Sequence, residues 1–127
     1  MMIGTEKNLL IALAEINQWE WNELPSARSL VGRHVYFCLA IEVLKNKEIR
    51  AGQPLKQVFF HPEFSDRAIR MKLREFEQDG LIERLSDDID KRYRRLVPTQ
   101  VLVDSLHKHA QTLRLTIEKT VYCVDKD

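Results

Sequence analysis

The chain is 127 residues long, enough for the hydrophobic core of one domain and too short for two. Its 20 Lys+Arg stand against 19 Asp+Glu, a formal net charge of +1, which excludes a polybasic tail acting by bulk charge and an acidic disordered segment. With 44% apolar residues, 31% charged residues and only four each of Gly and Pro, the composition is that of an ordered, soluble, helix-rich chain.

Pro25, Gly52, Pro54, Pro62, Gly80 and Pro98 separate long periodic stretches, the pattern of helices joined by short turns. A first helix is predicted over 5–19, with Leu9, Leu10, Leu13 and Ile16 on its inward face. After a loop at 23–25, Ser26 is placed to cap a second helix that reaches residue 47 or 48. Residues 35–41 leave that helix without a polar face for two turns, and a helix apolar all round is expected to be buried all round. So short a chain has few other elements to surround it, which points to a partner subunit; a central helix sheathed by its own chain is the alternative.

A short helix is predicted over 53–60, followed by a turn at 61–64 that Pro62 enforces on the residue before it. Ser65 then caps a helix through 79, and Gly80 ends it in the left-handed region. Residues 81–85 and 93–97 alternate as strands around a tip at 86–92 that is polar or charged except for Ile89, a β-hairpin. Thr99 caps a last helix whose apolar stripe is Leu102, Leu106, Ala110, Leu113 and Ile117. This order is that of a winged helix-turn-helix: mainly α, with a small β-hairpin wing, flanked by N- and C-terminal helices.

The helix over 65–79 carries two rows at ~100° per residue. Ile69, Leu73 and Phe76 form a core stripe, while Arg67, Arg70 and Arg74 share another face. The second helix of a helix-turn-helix is the one that enters the major groove, and the arginine fork can bond guanine O6 and N7 or clamp phosphate. The alternative is a solvated surface on which these arginines pair with Glu75 or Glu77. The hairpin adds Lys91, Arg92, Arg94 and Arg95, four cations in five residues that repel one another unless something anionic meets them. A narrow minor groove supplies such a field. Asp87, Asp88 and Asp90 offset part of this charge, so an aspartate-neutralised turn stands as the other reading.

At these residues the chain resembles the MarR (multiple antibiotic resistance regulator) family of winged-helix regulators. The matching run is Phe76-Glu77-Gln78-Asp79-Gly80-Leu81-Ile82-Glu83-Arg84, then Asp90-Lys91-Arg92, then Pro98-Thr99. The family pattern is Leu-Glu-x-x-Gly-Leu-[Ile/Val]-x-Arg, a wing Asp-x-Arg and a Leu-Thr opening the next helix; Phe76 and Pro98 stand here in place of the two leucines. The close likeness runs over 55–102, and the outer helices agree in type and order. The resemblance implies a homodimer built from the N- and C-terminal helices and duplex DNA bound with one recognition helix per half-site. It also implies Arg92 in the minor groove, and Ser65, Arg67 and Arg70 facing bases or phosphates. Asp66, which favours the helix dipole but repels a nearby phosphate, and the apolar Ile89 at the wing tip depart from that pattern.

Other groups carry less. Cys38 and Cys123 lie far apart without a CxxC, so neither a disulfide framework nor a structural zinc is expected. Cys38 reads as a small buried hydrophobe with no adjacent cation to activate it, and Cys123 as exposed. His107 and His109 point in different directions on a helix, and His34 and His61 have no ligand pattern around them. Trp19 and Trp21 read as packing residues, with a small-molecule pocket wall as the alternative. The sequence shows no Gly-rich phosphate loop, no paired catalytic carboxylates and no Ser-His-Asp set, so no enzyme and no cofactor are expected. No export signal occurs over 1–7, and the longest apolar run is far below the ~20 residues of a membrane span, so a cytoplasmic location is expected.

The sequence thus predicts a single winged-helix domain over 1–127, with 1–50 and 99–124 as the helical dimerisation part and 51–98 as the DNA-binding part. The expected function is that of a homodimeric regulator of transcription that binds double-stranded DNA. Its expected contacts are Ser65, Arg67, Arg70, Arg74, Lys91, Arg92 and Arg94. The expected dimer interface holds Val35, Leu39, Leu106, Leu113 and Ile117. The competing readings are a winged helix used for protein–protein contact and the DNA-binding protein of a replication or mobile element.

Overall fold

The computed structural model describes residues 4–45, 61–86 and 94–121. Its elements are α1 (Gly4–Glu23), a single 3-10 turn (Pro25–Ala27), α2 (Leu30–Lys45), α3 (Asp66–Gln78), β1 (Ile82–Ser86), β2 (Arg94–Pro98) and α4 (Gln100–Thr120). The short helix expected over 53–60 and the hairpin tip lie outside the described residues. The chain divides into two compact units, one being Ser26–Leu106 and the other α1 with α4 from His107; α2 lies in the first.

Within Ser26–Leu106, the cap of α2 is Ser29 and not Ser26. The Ser29 hydroxyl accepts from the Gly32 amide at 3.0 Å, and its carbonyl accepts from the Arg33 amide. Pro25 starts a tight turn instead, and the turn lays the Ser26 carbonyl onto Gly32, where a Cβ would run into that oxygen. The Ser26 hydroxyl is thereby free to donate to Asp79 Oδ2 at 2.8 Å. The apolar stretch of α2 is also only half covered. Val35, Tyr36, Leu39 and Ala40 are buried, but Leu30, Phe37, Ile41 and Leu44 stay exposed along one side. Helical geometry sends these two sets in different directions, so this chain's own core covers only one side of α2.

The sequence reading of α3 holds closely. The Ser65 hydroxyl accepts from the Ala68 amide at 3.1 Å, and Ile69, Leu73 and Phe76 are buried. Its C-terminus is a Schellman arrangement: Leu81 N–H donates to Phe76 O at 2.9 Å and Gly80 N–H to Glu77 O at 3.1 Å, with Gly80 at φ 76°. Because Leu81 is used in this cap, the strand begins one residue later than predicted. β1 and β2 pair antiparallel from Ile82↔Pro98 to Ser86↔Arg94. Thr99 then closes the base of the hairpin: its amide donates to Leu81 O at 3.0 Å and its hydroxyl to Gly80 O at 2.6 Å. The same hydroxyl accepts from Leu102 N at 3.4 Å, which caps α4. Ile82, Val97 and Leu102 complete the core that α2 and α3 begin.

In the other unit the inward row of α1 is Ala12, Ile16 and Glu20, not the predicted leucines. Leu9, Leu10 and Leu13 are 49%, 54% and 59% exposed. Glu20 is buried because it has a partner: its Oε2 lies 2.9 Å from His109 Nε2, and Trp19 stacks on the same imidazole at 5.3 Å between ring centroids. Lys119 lies 3.8 Å from Glu15 at the edge of the unit.

Two glycine substitutions test this architecture in opposite ways. Gly32→Ala should cost about 2–3 kcal/mol because a backbone oxygen must move. Gly80→Ala should cost about 1–2 kcal/mol through its left-handed backbone alone, with Gly80→Asn less costly. Urea unfolding followed by circular dichroism measures both, and equal losses would refute the distinction.

Candidate nucleic-acid interface

The helix α3 exposes a continuous charged face. Ser65, Asp66, Arg67, Arg70 and Arg74 are all exposed, and Arg67, Arg70 and Arg74 lie on the side away from the Ile69, Leu73 and Phe76 row. From Arg67 to Arg74 the arginines span about 10 Å along the helix axis. Glu75 and Glu77, two carboxylates on the same helix, are engaged elsewhere. Glu75 pairs with Lys72 at 2.6 Å, and Glu77 pairs with Arg84 of β1 at 3.1 Å. Arg67 and Arg74 make no ion pair with any described residue. The face therefore presents positive charge outward, with side chains long enough to reach base edges or phosphates.

The hairpin's position is set at the C-terminal end of this helix by the Gly80, Leu81 and Thr99 hydrogen bonds. Arg94 enters β2 opposite Ser86. Lys91 and Arg92 lie outside the described residues. The residues expected at a dimer interface separate into two groups. Val35 and Leu39 are 0% and 2% exposed in this chain's own core, which leaves them no surface for a partner. Leu106 and Ile117 are half-buried and Leu113 is exposed.

Beside α2 lies a hollow of about 450 Å³, walled by Leu30, His34, Phe37 and Cys38 and by His61 and Phe64 of the turn before α3. The rings of His34, His61 and Phe64 cluster there, with His61 stacked on Phe64 at 4.3 Å and His34 4.7 Å from His61. Sequence reasoning treated these histidines as isolated, since nothing local signals an approach across 27 positions. Among the described residues no three His, Cys, Asp or Glu converge to hold a metal ion. Cys38 sits 3.8 Å from the His34 ring, yet burial pushes its thiol pKa up, and the Glu42 carboxylate adds to the rise. No helix among the described residues is long and apolar enough to cross a membrane.

The order of α2, α3, the hairpin and α4 is a winged-helix arrangement, and comparison with solved structures agrees. The chain is similar to a probable transcriptional regulator from Pseudomonas aeruginosa, at 14% identity over 93% of this chain and 83% of that one, with a TM-score of 0.52. It also aligns with a MarR family transcriptional regulator from Silicibacter pomeroyi, at 18% identity over 98% of this chain and 82% of that one, with a TM-score of 0.49. The sequence matches no protein-family model and no curated protein. At these identities the first likeness is one of fold: mostly helical, with a small antiparallel sheet.

The raised Cys38 thiol has a direct readout. A raised pKa means less thiolate at a given pH, so Cys38 in a Cys123→Ser background should alkylate several-fold more slowly at pH 8 than in the unfolded chain. Its rate should go on rising above the ordinary thiol range. Iodoacetamide labelling followed by mass spectrometry checks this, and equal rates folded and unfolded would remove the assignment.

Proposed function

We propose that this chain is a cytoplasmic, MarR-like regulator of transcription that binds double-stranded DNA as a homodimer. In this reading α3 lies in the major groove and the wing, with Lys91, Arg92 and Arg94, lies along the minor groove. The observation that carries the reading is the exposed arginine face of α3, beside which Glu75 and Glu77 are held by Lys72 and Arg84. Long-range attraction to phosphate suits an exposed row of three arginines on one helix. Ser65, Arg67, Arg70 and Arg74 then contact bases and phosphates from one helix, while the wing arginines read groove width.

The homodimer reading rests on the unit of α1 and α4. Two helices cannot cover both of their own faces, and Leu9, Leu10, Ile11, Leu13, Leu113 and Leu115 are all about half exposed. Leu113, Ile117 and Leu106 on α4 remain candidates for that interface, and the leucines of α1 join them in place of the buried Val35 and Leu39.

Fluorescence anisotropy with random duplex at low salt gives the first test. Binding should weaken steeply with salt, and Arg67→Ala, Arg74→Ala and Arg92→Ala should each weaken it and lower the salt slope by about 1. A protein–protein module would leave the duplex unbound. The second test is light scattering at micromolar concentration, which should give twice the chain mass for the native protein. A Leu13→Glu, Leu113→Glu variant should be monomeric, and a native monomer would overturn the dimer reading.

A further inference from the structure

One residue on the α3 face opposes simple attraction to DNA. Asp66 opens the helix, is exposed, and lies on the same row as Arg70 and Arg74, at i, i+4 and i+8. It makes no hydrogen bond or ion pair with any described residue, so it does not serve to neutralise Arg70. Nor is it needed as a cap, because Ser65 already accepts from the Ala68 amide. Its remaining structural contribution is the favourable field of the helix N-terminus, which a neutral residue would forgo at small cost.

Resting on the DNA-binding reading above, we infer that Asp66 is a specificity determinant that accepts a hydrogen bond from the exocyclic amine of cytosine in the major groove. Docking of a recognition helix brings its N-terminal residues to the base edges rather than to the phosphates. A carboxylate at that place has only acceptors to offer. Guanine and thymine present acceptors there and repel it, whereas cytosine presents the N4 donor. Adenine also has an amine, but its N7 acceptor lies beside it and faces the second carboxylate oxygen. Cytosine is therefore selected.

The neighbours of Asp66 complete the reading. The partner of that cytosine is a guanine, whose O6 and N7 acceptors suit the fork of an arginine. Arg67 follows directly in sequence, and Arg70 lies about 6 Å farther along the helix. One carboxylate followed by arginines on a single exposed row is thus the donor–acceptor complement of a C·G-containing half-site. The negative charge lowers affinity for DNA in general while raising the contrast between right and wrong sequence.

The test is enrichment of sites from a random duplex pool by the full-length chain and by its Asp66→Ala and Asp66→Asn variants. The native protein should require cytosine at one position of each half-site, within about two base pairs of a guanine. Asp66→Ala should lose that requirement, keep the other positions, and bind random duplex more tightly at low salt. Asp66→Asn, which both donates and accepts, should exchange cytosine for adenine at the same position. In direct competition, replacing the cytosine by thymine should weaken the native protein about tenfold and Asp66→Ala less than twofold. Matching thermal melts of the three proteins show that the fold is intact. Unchanged site profiles in both variants would overturn the role of Asp66 while leaving DNA binding in place. Failure of the native chain to enrich any sequence would overturn the DNA-binding reading as well.

Discussion

A rigid helix cannot bury one row of side chains without presenting the rows opposite. In α3 the buried row is Ile69, Leu73 and Phe76, and the presented face carries Arg67, Arg70 and Arg74, with Asp66 at its edge in the first turn. The placement of the charged face follows from that coupling. The core fixes the rotation of the helix about its axis, and the rotation decides which charges meet solvent. Ser65 and Gly80 fix where the helix starts and stops, so the same charges are also fixed along its length.

The second fixed point is the junction of Gly80, Leu81 and Thr99. There a helix cap, the first rung of the hairpin and the cap of α4 share three residues and their backbone groups. No buried side-chain donor or acceptor among the described residues is left without a partner. A junction of this kind transmits the orientation of α3 to β1 and β2 without a large hydrophobic area. The Glu77–Arg84 pair adds a modest side-chain link between the same two elements and diverts a carboxylate from the arginine face.

Much of the Ser26–Leu106 unit was legible in the sequence because its signals are local. A Ser three residues before an amide, a Gly after a charged helix and a Thr before an apolar stripe each state their own geometry. The one-residue shift of the strands shows the limit, since the sequence does not say whether Leu81 serves the cap or the sheet. The reading of α1 failed for a different reason. Its leucines favoured one face by hydropathy, but a close polar contact between Glu20 and His109, residues 89 apart, fixed another. The cluster of His34, His61 and Phe64 was invisible for the same reason. At the interface itself, the residue types and spacing of the arginines were readable, whereas the engagement of Glu75 and Glu77 by Lys72 and Arg84 was not.

The hydrogen bonds that organise the Ser26–Leu106 unit differ widely in the loops they close. Thr99 to Gly80 joins residues 19 apart, while Ser26 to Asp79 joins residues 53 apart. Closing the longer loop costs about 1 kcal/mol more in chain entropy. The order of assembly this favours has α3 and the hairpin gathering first as a local nucleus, with α2 docking on it afterwards. The charged helix is then the seed of the folding reaction, and its support is recruited around it.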